Sequence, residues 1–150
     1  MKTGYLYLGE QVFNSSRFIG FHDLRGSILN WLSLDHVQLA IPVGSEDLCR
    51  TFYGTILGWR EVPKPESLAG RGGVWFCTES FRIHLGVEKD FRPAKKAHPA
   101  FLLKNLDILA EKMAAYDVII EWDNNLEGYK RFYADDVVGN RLEFMQKENG

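Results

Sequence analysis

From residue 34 onward the chain alternates apolar and polar side chains in short runs, interrupted twice by helical spacing. Residues 34–41 (LDHVQLAI) alternate and are aliphatic, which predicts a strand with Val37, Leu39 and Ile41 on one face. His36, Gln38 and Ala40 fall on the other. Leu48, Cys49, Phe52, Tyr53, Ile56 and Leu57 then share one side of a helix. Ser45 is placed to cap that helix, Glu46 and Asp47 favour its positive end, and Gly58 stops it. Residues 59–62 predict a short strand, and PKPESLAGRGG a loop. Residues 74–78 and 81–87 predict a hairpin that puts Arg82, His84 and Gly86 opposite Phe81, Ile83, Leu85 and Val87.

The same order then repeats. Residues 98–103 predict a strand, with Pro99, Phe101 and Leu103 on the helix side and His98, Ala100 and Leu102 opposite. Asn105 is placed to cap a helix whose Leu106, Leu109, Ala110 and Met113 share a face. Strands follow at residues 118–122, 130–134 and 141–146, with Gly139 and Asn140 turning into the last. There Leu142 and Phe144 point to the core, and Arg141, Glu143 and Met145 away from it. Each half therefore reads as a βαβββ module, residues 34–87 and 98–146. His36, His84, His98 and Glu143 occupy matched places, all on the face away from the helices. If the sheets curl, that face is a cup holding all four.

Imidazole and carboxylate are ligands for divalent transition ions, so the four form a candidate metal site. A carboxylate facing a closed cup also needs a partner, and Arg82 or Arg141 could neutralise Glu143 without any metal. Both arginines lie on the ligand face two residues ahead of His84 and Glu143, where an anionic substrate could also meet them. Gln38 and Trp75 are candidate substrate contacts on the pocket wall. Cys77 reads as packing, because no neighbour in sequence stabilises a thiolate. The Gly70–Gly73 run lacks the lysine and following helix of a phosphate loop.

Residues 1–30 have no counterpart in the repeat and read as an N-terminal extension ahead of a 31–150 domain. GYLYLGEQVF can form a strand and RFIGF is a second apolar piece; no chemistry is drawn from either, or from His22. The extension reads either as a segment that packs on the domain or on a neighbouring subunit, or as a cloning-derived or misassigned start. A chain of 150 residues normally forms one domain around a real core. A net charge of −2 leaves no basic field for nucleic acid, and the basic residues of RPAKK read as a solvated loop. Only Cys49 and Cys77 are present, which predicts a reducing compartment and no disulfide framework. No apolar run approaches the ~20 residues of a membrane helix, and the start does not read as a secretory signal, so the expected location is cytoplasmic.

The paired modules, the placement of the four groups and the segment FYADDVVGNRLEFM resemble the vicinal oxygen chelate superfamily, which includes glyoxalase I, fosfomycin-resistance proteins, extradiol dioxygenases and bleomycin-resistance proteins. FYGTILGW, GRGGVWF and HLGVEKDFRPAKKAHPAF make it most similar to small single-domain glyoxalase-like members. The resemblance covers residues 34–146. It implies an α+β glyoxalase-like fold, a curved mixed-sheet cup, and His36, His98 and Glu143 as metal ligands. His84 stands where glyoxalase I has a glutamate. It is either a fourth ligand or, as in extradiol dioxygenases, a proton carrier beside the metal. Tyr133, ten residues before Glu143, matches a tyrosine of that second group.

The function implied is a metal-dependent enzyme for a small molecule. A divalent ion, Zn, Ni, Mn or Fe(II), would chelate two substrate oxygens and stabilise an enolate or oxyanion. Glu143 would move the proton in a glyoxalase-type lyase reaction, and His84 in an Fe(II) dioxygenase. A metal-free drug-binding antibiotic-resistance protein is the reading from another class. The resemblance also implies a homodimer.

Overall fold

The structure, a computed structural model, describes residues 5–8, 11–14 and 30–148. The chain divides into two compact units, Met1–Ser33 and Leu34–Gly150. In the first, strands β1 (Tyr5–Leu8) and β2 (Gln11–Asn14) pair antiparallel, with Leu8 opposite Gln11. The stretch expected to be one strand is thus a hairpin. The RFIGF piece lies outside the described residues.

The second unit holds two four-stranded mixed sheets with one connectivity. Strands β3 (Val37–Ile41), β4 (Arg60–Val62), β5 (Val74–Cys77) and β6 (Arg82–Val87) lie in the order β3-β6-β5-β4. Strands β7 (Ala100–Leu102), β8 (Ile120–Asp123), β9 (Tyr129–Asp135) and β10 (Arg141–Lys147) lie in the order β7-β10-β9-β8. The outer pairs β3–β6 and β7–β10 are parallel, and the rest antiparallel. Gln38 sits opposite His84, as Ala100 does opposite Glu143. In both sheets, then, a histidine lies two residues before the residue facing the last strand's candidate ligand. This is the predicted α+β architecture of two βαβββ modules.

The helices carry four local corrections. Helix α1 (Glu46–Cys49) continues without a break into a wider π-helical stretch, Arg50–Ile56, where the Leu57 amide bonds the Phe52 carbonyl at 2.9 Å. Phe52, Tyr53 and Ile56 are all buried there. Ser45 does not cap this helix: its hydroxyl donates to the Pro42 carbonyl at 2.7 Å. Nor does Asn105 cap helix α3 (Leu106–Ala115), whose first amide is met by the Gln146 side chain at 2.9 Å. Strand β10 lies beside α3, so the acceptor comes from forty residues away in the chain rather than from the preceding one. The predicted glycine-rich loop contains a single helical turn, α2 (Glu66–Ala69).

The modules share one apolar core, which includes Ile41, Tyr53, Phe76, Leu85, Met113, Phe132 and Phe144. Trp59 of the first module stacks edge-on against Phe101 of the second at 5.0 Å. A buried polar knot ties the halves together. Tyr53 donates to Asp136 Oδ2 at 2.6 Å, and Asn140 Nδ2 donates to the Ala40 carbonyl at 2.9 Å. Each polar group there has a partner, as burial demands. With the helix faces consumed by this core, the opposite sheet faces keep their polar side chains. Among the described residues no helix is long and apolar enough to cross a membrane.

Candidate metal centre

On the second sheet, strand pairing brings His98 and Glu143 together. The Glu143 amide bonds the Pro99 carbonyl, and Glu143 faces Ala100 in the parallel ladder. Its buried carboxylate lies with Oε2 3.1 Å from His98 Nε2. The other ring nitrogen, Nδ1, is 3.0 Å from the Lys96 carbonyl, which can only accept, so Nδ1 carries the hydrogen. Nε2 then presents its lone pair to a carboxylate oxygen. Two lone pairs at that distance need a second proton or a cation between them. Ligands at right angles about 2.1 Å from a common ion stand about 3.0 Å apart, so this pair fits two neighbouring positions of a divalent ion.

His36 is prepared in the same way. It stands just ahead of β3, exposed, and its Nδ1 donates to Asp35 Oδ1 at 2.8 Å. Asp35 is also held by Arg82 at 3.2 Å. The His36 hydrogen bond, chiefly, keeps the Asp35 carboxyl below the usual carboxylate range. The free nitrogen is again Nε2, and a carboxylate behind a ligating imidazole fixes its tautomer and raises its basicity.

His84 is placed differently. Its ring stacks on His36 with centroids 3.9 Å apart and planes 22° apart, and on Trp75 at 3.7 Å and 4°. The stack runs from His36, just ahead of β3, across His84 on β6 to Trp75 on β5, on the ligand face of the first sheet. An imidazole binds an ion through a lone pair in its own plane. Two nearly parallel rings 3.9 Å apart therefore do not both aim at one ion. Burial, above all, holds His84 below its ordinary pKa and so neutral near pH 7.

The two groups stay apart: among the described residues no three His, Cys, Asp or Glu side chains gather closely enough to hold an ion. The other candidates take definite places. Tyr133, opposite Glu143 in the β9–β10 ladder, sets its ring edge-on to His98 at 5.5 Å. Arg141 lies over the Tyr133 ring at 5.4 Å, and Arg82 is engaged by Asp35. Gln38 rests over Gly86, where an added Cβ would come within 2.8 Å of its Nε2. An open groove of about 640 Å³ is lined by Tyr133 and Arg141 together with Phe52, Ile56, Tyr116 and Ile119, but by none of His36, His84, His98 and Glu143.

The cation beside Glu143 is neither arginine expected from the sequence. It is Arg131 on β9, whose Nη1 donates to Glu143 Oε1 at 2.8 Å while Nη2 reaches Asp123 Oδ1 at 3.2 Å. Strand parity alone would have found it, since Arg131 lies two residues from Tyr133 and so on the same face. Asp35 was missed as well, although it adjoins His36.

No protein-family model matches the chain, and no curated protein does. Solved structures do. A protein assigned to the glyoxalase family of Bacillus anthracis is 43% identical, with 81% of this chain aligned to 100% of that one and a TM-score of 0.78. The fosfomycin resistance protein FosX of Listeria monocytogenes, in complex with Mn(II) and a dihydroxypropylphosphonic acid, is 18% identical over 77% of this chain and 92% of that one, with a TM-score of 0.64. A glyoxalase/dioxygenase of Nostoc punctiforme is 20% identical over 82% and 100%, with a TM-score of 0.62. The last two share the fold.

Proposed function

This chain belongs to the glyoxalase family of the vicinal oxygen chelate superfamily, and from that premise we propose that it is a divalent-metal-dependent enzyme acting on a small molecule with two adjacent oxygens. The observation that carries this reading is the 3.1 Å approach of His98 Nε2 to Glu143 Oε2, with the other ring nitrogen already tied to the Lys96 carbonyl. His36, with Nδ1 tied to Asp35, is the third ligand. It comes from a second copy of the chain, because one chain gathers only two of the three. A homodimer would then carry two such centres.

A bound ion would supply fixed positive charge to substrate oxygens as they acquire negative charge. The chain's own groups do the rest. His84, neutral and stacked between Trp75 and His36, is suited to accept a proton beside the centre rather than to ligate. Tyr133, edge-on to His98, and Arg141, over the Tyr133 ring, are the polar groups placed to meet a substrate there. The edge-on Tyr133 and the proton-carrying His84 also favour a second reading, an Fe(II) dioxygenase.

The test is elemental analysis of the full chain purified without chelator, beside His98→Ala. One ion per chain, lost in the variant, is expected. Protein that takes up no ion even after reconstitution overturns the reading. Oxygen uptake by Fe(II)-loaded protein with catechols separates the two chemistries.

A further inference from the structure

A run of polar contacts crosses three strands of the second sheet and ends just ahead of the fourth. Asp123 on β8 meets Arg131 on β9 at 3.2 Å, Arg131 meets Glu143 on β10 at 2.8 Å, and Glu143 meets His98, ahead of β7, at 3.1 Å. His98 ends the run on the Lys96 carbonyl at 3.0 Å. We infer that Arg131 is a positioning residue for the metal centre, holding Glu143 so that the carboxylate offers a single oxygen to the ion. The inference rests on the metal reading above.

A free carboxylate can bind an ion through one oxygen or both. Here Oε1 is engaged by Arg131, and only Oε2 faces His98. Single-oxygen binding leaves one more position open, and a substrate that chelates through two oxygens needs adjacent open positions. The same clamp prevents Glu143 from swinging off the ion to carry a proton. That assigns the proton to His84 or Tyr133 instead.

Arg131 is a costly way to fill this place. Its side chain is largely buried, and its Nε has no hydrogen-bond partner. A buried donor left unpaired is destabilising, and an apolar side chain of similar length would avoid that loss. What an apolar side chain cannot do is hold Asp123 and Glu143 at once. A guanidinium does so with a rigid fork, whereas a lysine brings one compact charge on a flexible stem.

The experiment is Mn(II) titration of the full chain and of Arg131→Met and Arg131→Lys, followed by the electron paramagnetic resonance of free and bound ion. Circular dichroism reports whether each variant folds. The expected result is an affinity loss of about 10–100-fold in Arg131→Met, as is typical when a group supporting a ligand is removed. Arg131→Lys should fall between Arg131→Met and the unsubstituted chain. At saturating Mn(II), the bound-ion spectrum should also change in both variants as Glu143 turns to present two oxygens. A merely structural role would leave that saturated spectrum alone. If Arg131→Met does not fold, the Arg131→Lys affinity and spectrum decide. Unchanged affinity and an unchanged saturated spectrum in the folded variants overturn the role of Arg131 while leaving the metal reading intact. An unsubstituted chain that takes up no Mn(II), Fe(II), Zn(II) or Ni(II) overturns both.

Discussion

Replacing Glu143 by glutamine should separate the metal from the fold, because the two variants Glu143→Gln and Glu143→Ala leave different atoms behind. The carboxylate is buried and meets Arg131 at 2.8 Å on one oxygen and His98 Nε2 at 3.1 Å on the other. In Glu143→Ala, Arg131 loses a charged partner in a buried setting, and such a loss costs about 3–5 kcal/mol. In Glu143→Gln the amide oxygen still accepts from Arg131. A neutral acceptor is worth about 1 kcal/mol less than a charged one. The amide nitrogen, however, can donate to the His98 Nε2 lone pair, a hydrogen bond worth about 1 kcal/mol. Chelator-treated Glu143→Gln should therefore unfold in urea within about 1 kcal/mol of the unsubstituted chain. Metal tells them apart. An ion at a hundred times its Kd adds about 2.7 kcal/mol, or about 5–11 °C in Tm for a chain of this size. The unsubstituted chain should show that rise with Mn(II) at fixed protein concentration, and Glu143→Gln should not. An equal rise in both would mean the carboxylate is no ligand. A urea midpoint for glutamine as low as for alanine would refute the reasoning from facing lone pairs.

Three further outcomes follow from the same geometry. Gly73→Ala should cost about 3 kcal/mol or more in urea unfolding. Gly73 has φ +80°, and a Cβ there would stand 2.1 Å from the Leu85 carbonyl oxygen; a loss under about 0.5 kcal/mol would contradict this. Tyr53→Phe removes the 2.6 Å bond to Asp136 and should cost about 1.5–3 kcal/mol; an unchanged chevron midpoint would show that the knot between the modules carries no stability. Glu46 accepts from the Gly73 amide at 2.9 Å, chiefly which holds its carboxyl below the ordinary value. A depressed folded pKa stabilises above the unfolded value, about 4.3, and that contribution is lost as pH falls from there through the lower folded value. Glu46→Gln should flatten the decline of Tm over that acid window, and a decline of unchanged steepness would count against it.

Much of the architecture was written locally. Alternation along the eight domain strands and helical spacing along α1 and α3 reflect which side of each element meets the core, so the repeat and the ligand-bearing faces were legible residue by residue. Capping was not, because the Ser45 hydroxyl found a carbonyl three residues back and the α3 amide was met by Gln146 from another strand. The site divided along the same line. His36, His98 and Glu143 could be singled out by position, but the face they share says nothing of distance. Tertiary pairing of β7 with β10 brought His98 to Glu143, pairing of β9 with β10 brought in Arg131, and pairing of β6 with its neighbours set the His84 ring between those of His36 and Trp75. The sequence by itself determined which side chains leave the core, since that depends on the period of each element. Only the tertiary structure decided which of them meet, since strand order and register join residues with no mark of one another in the chain.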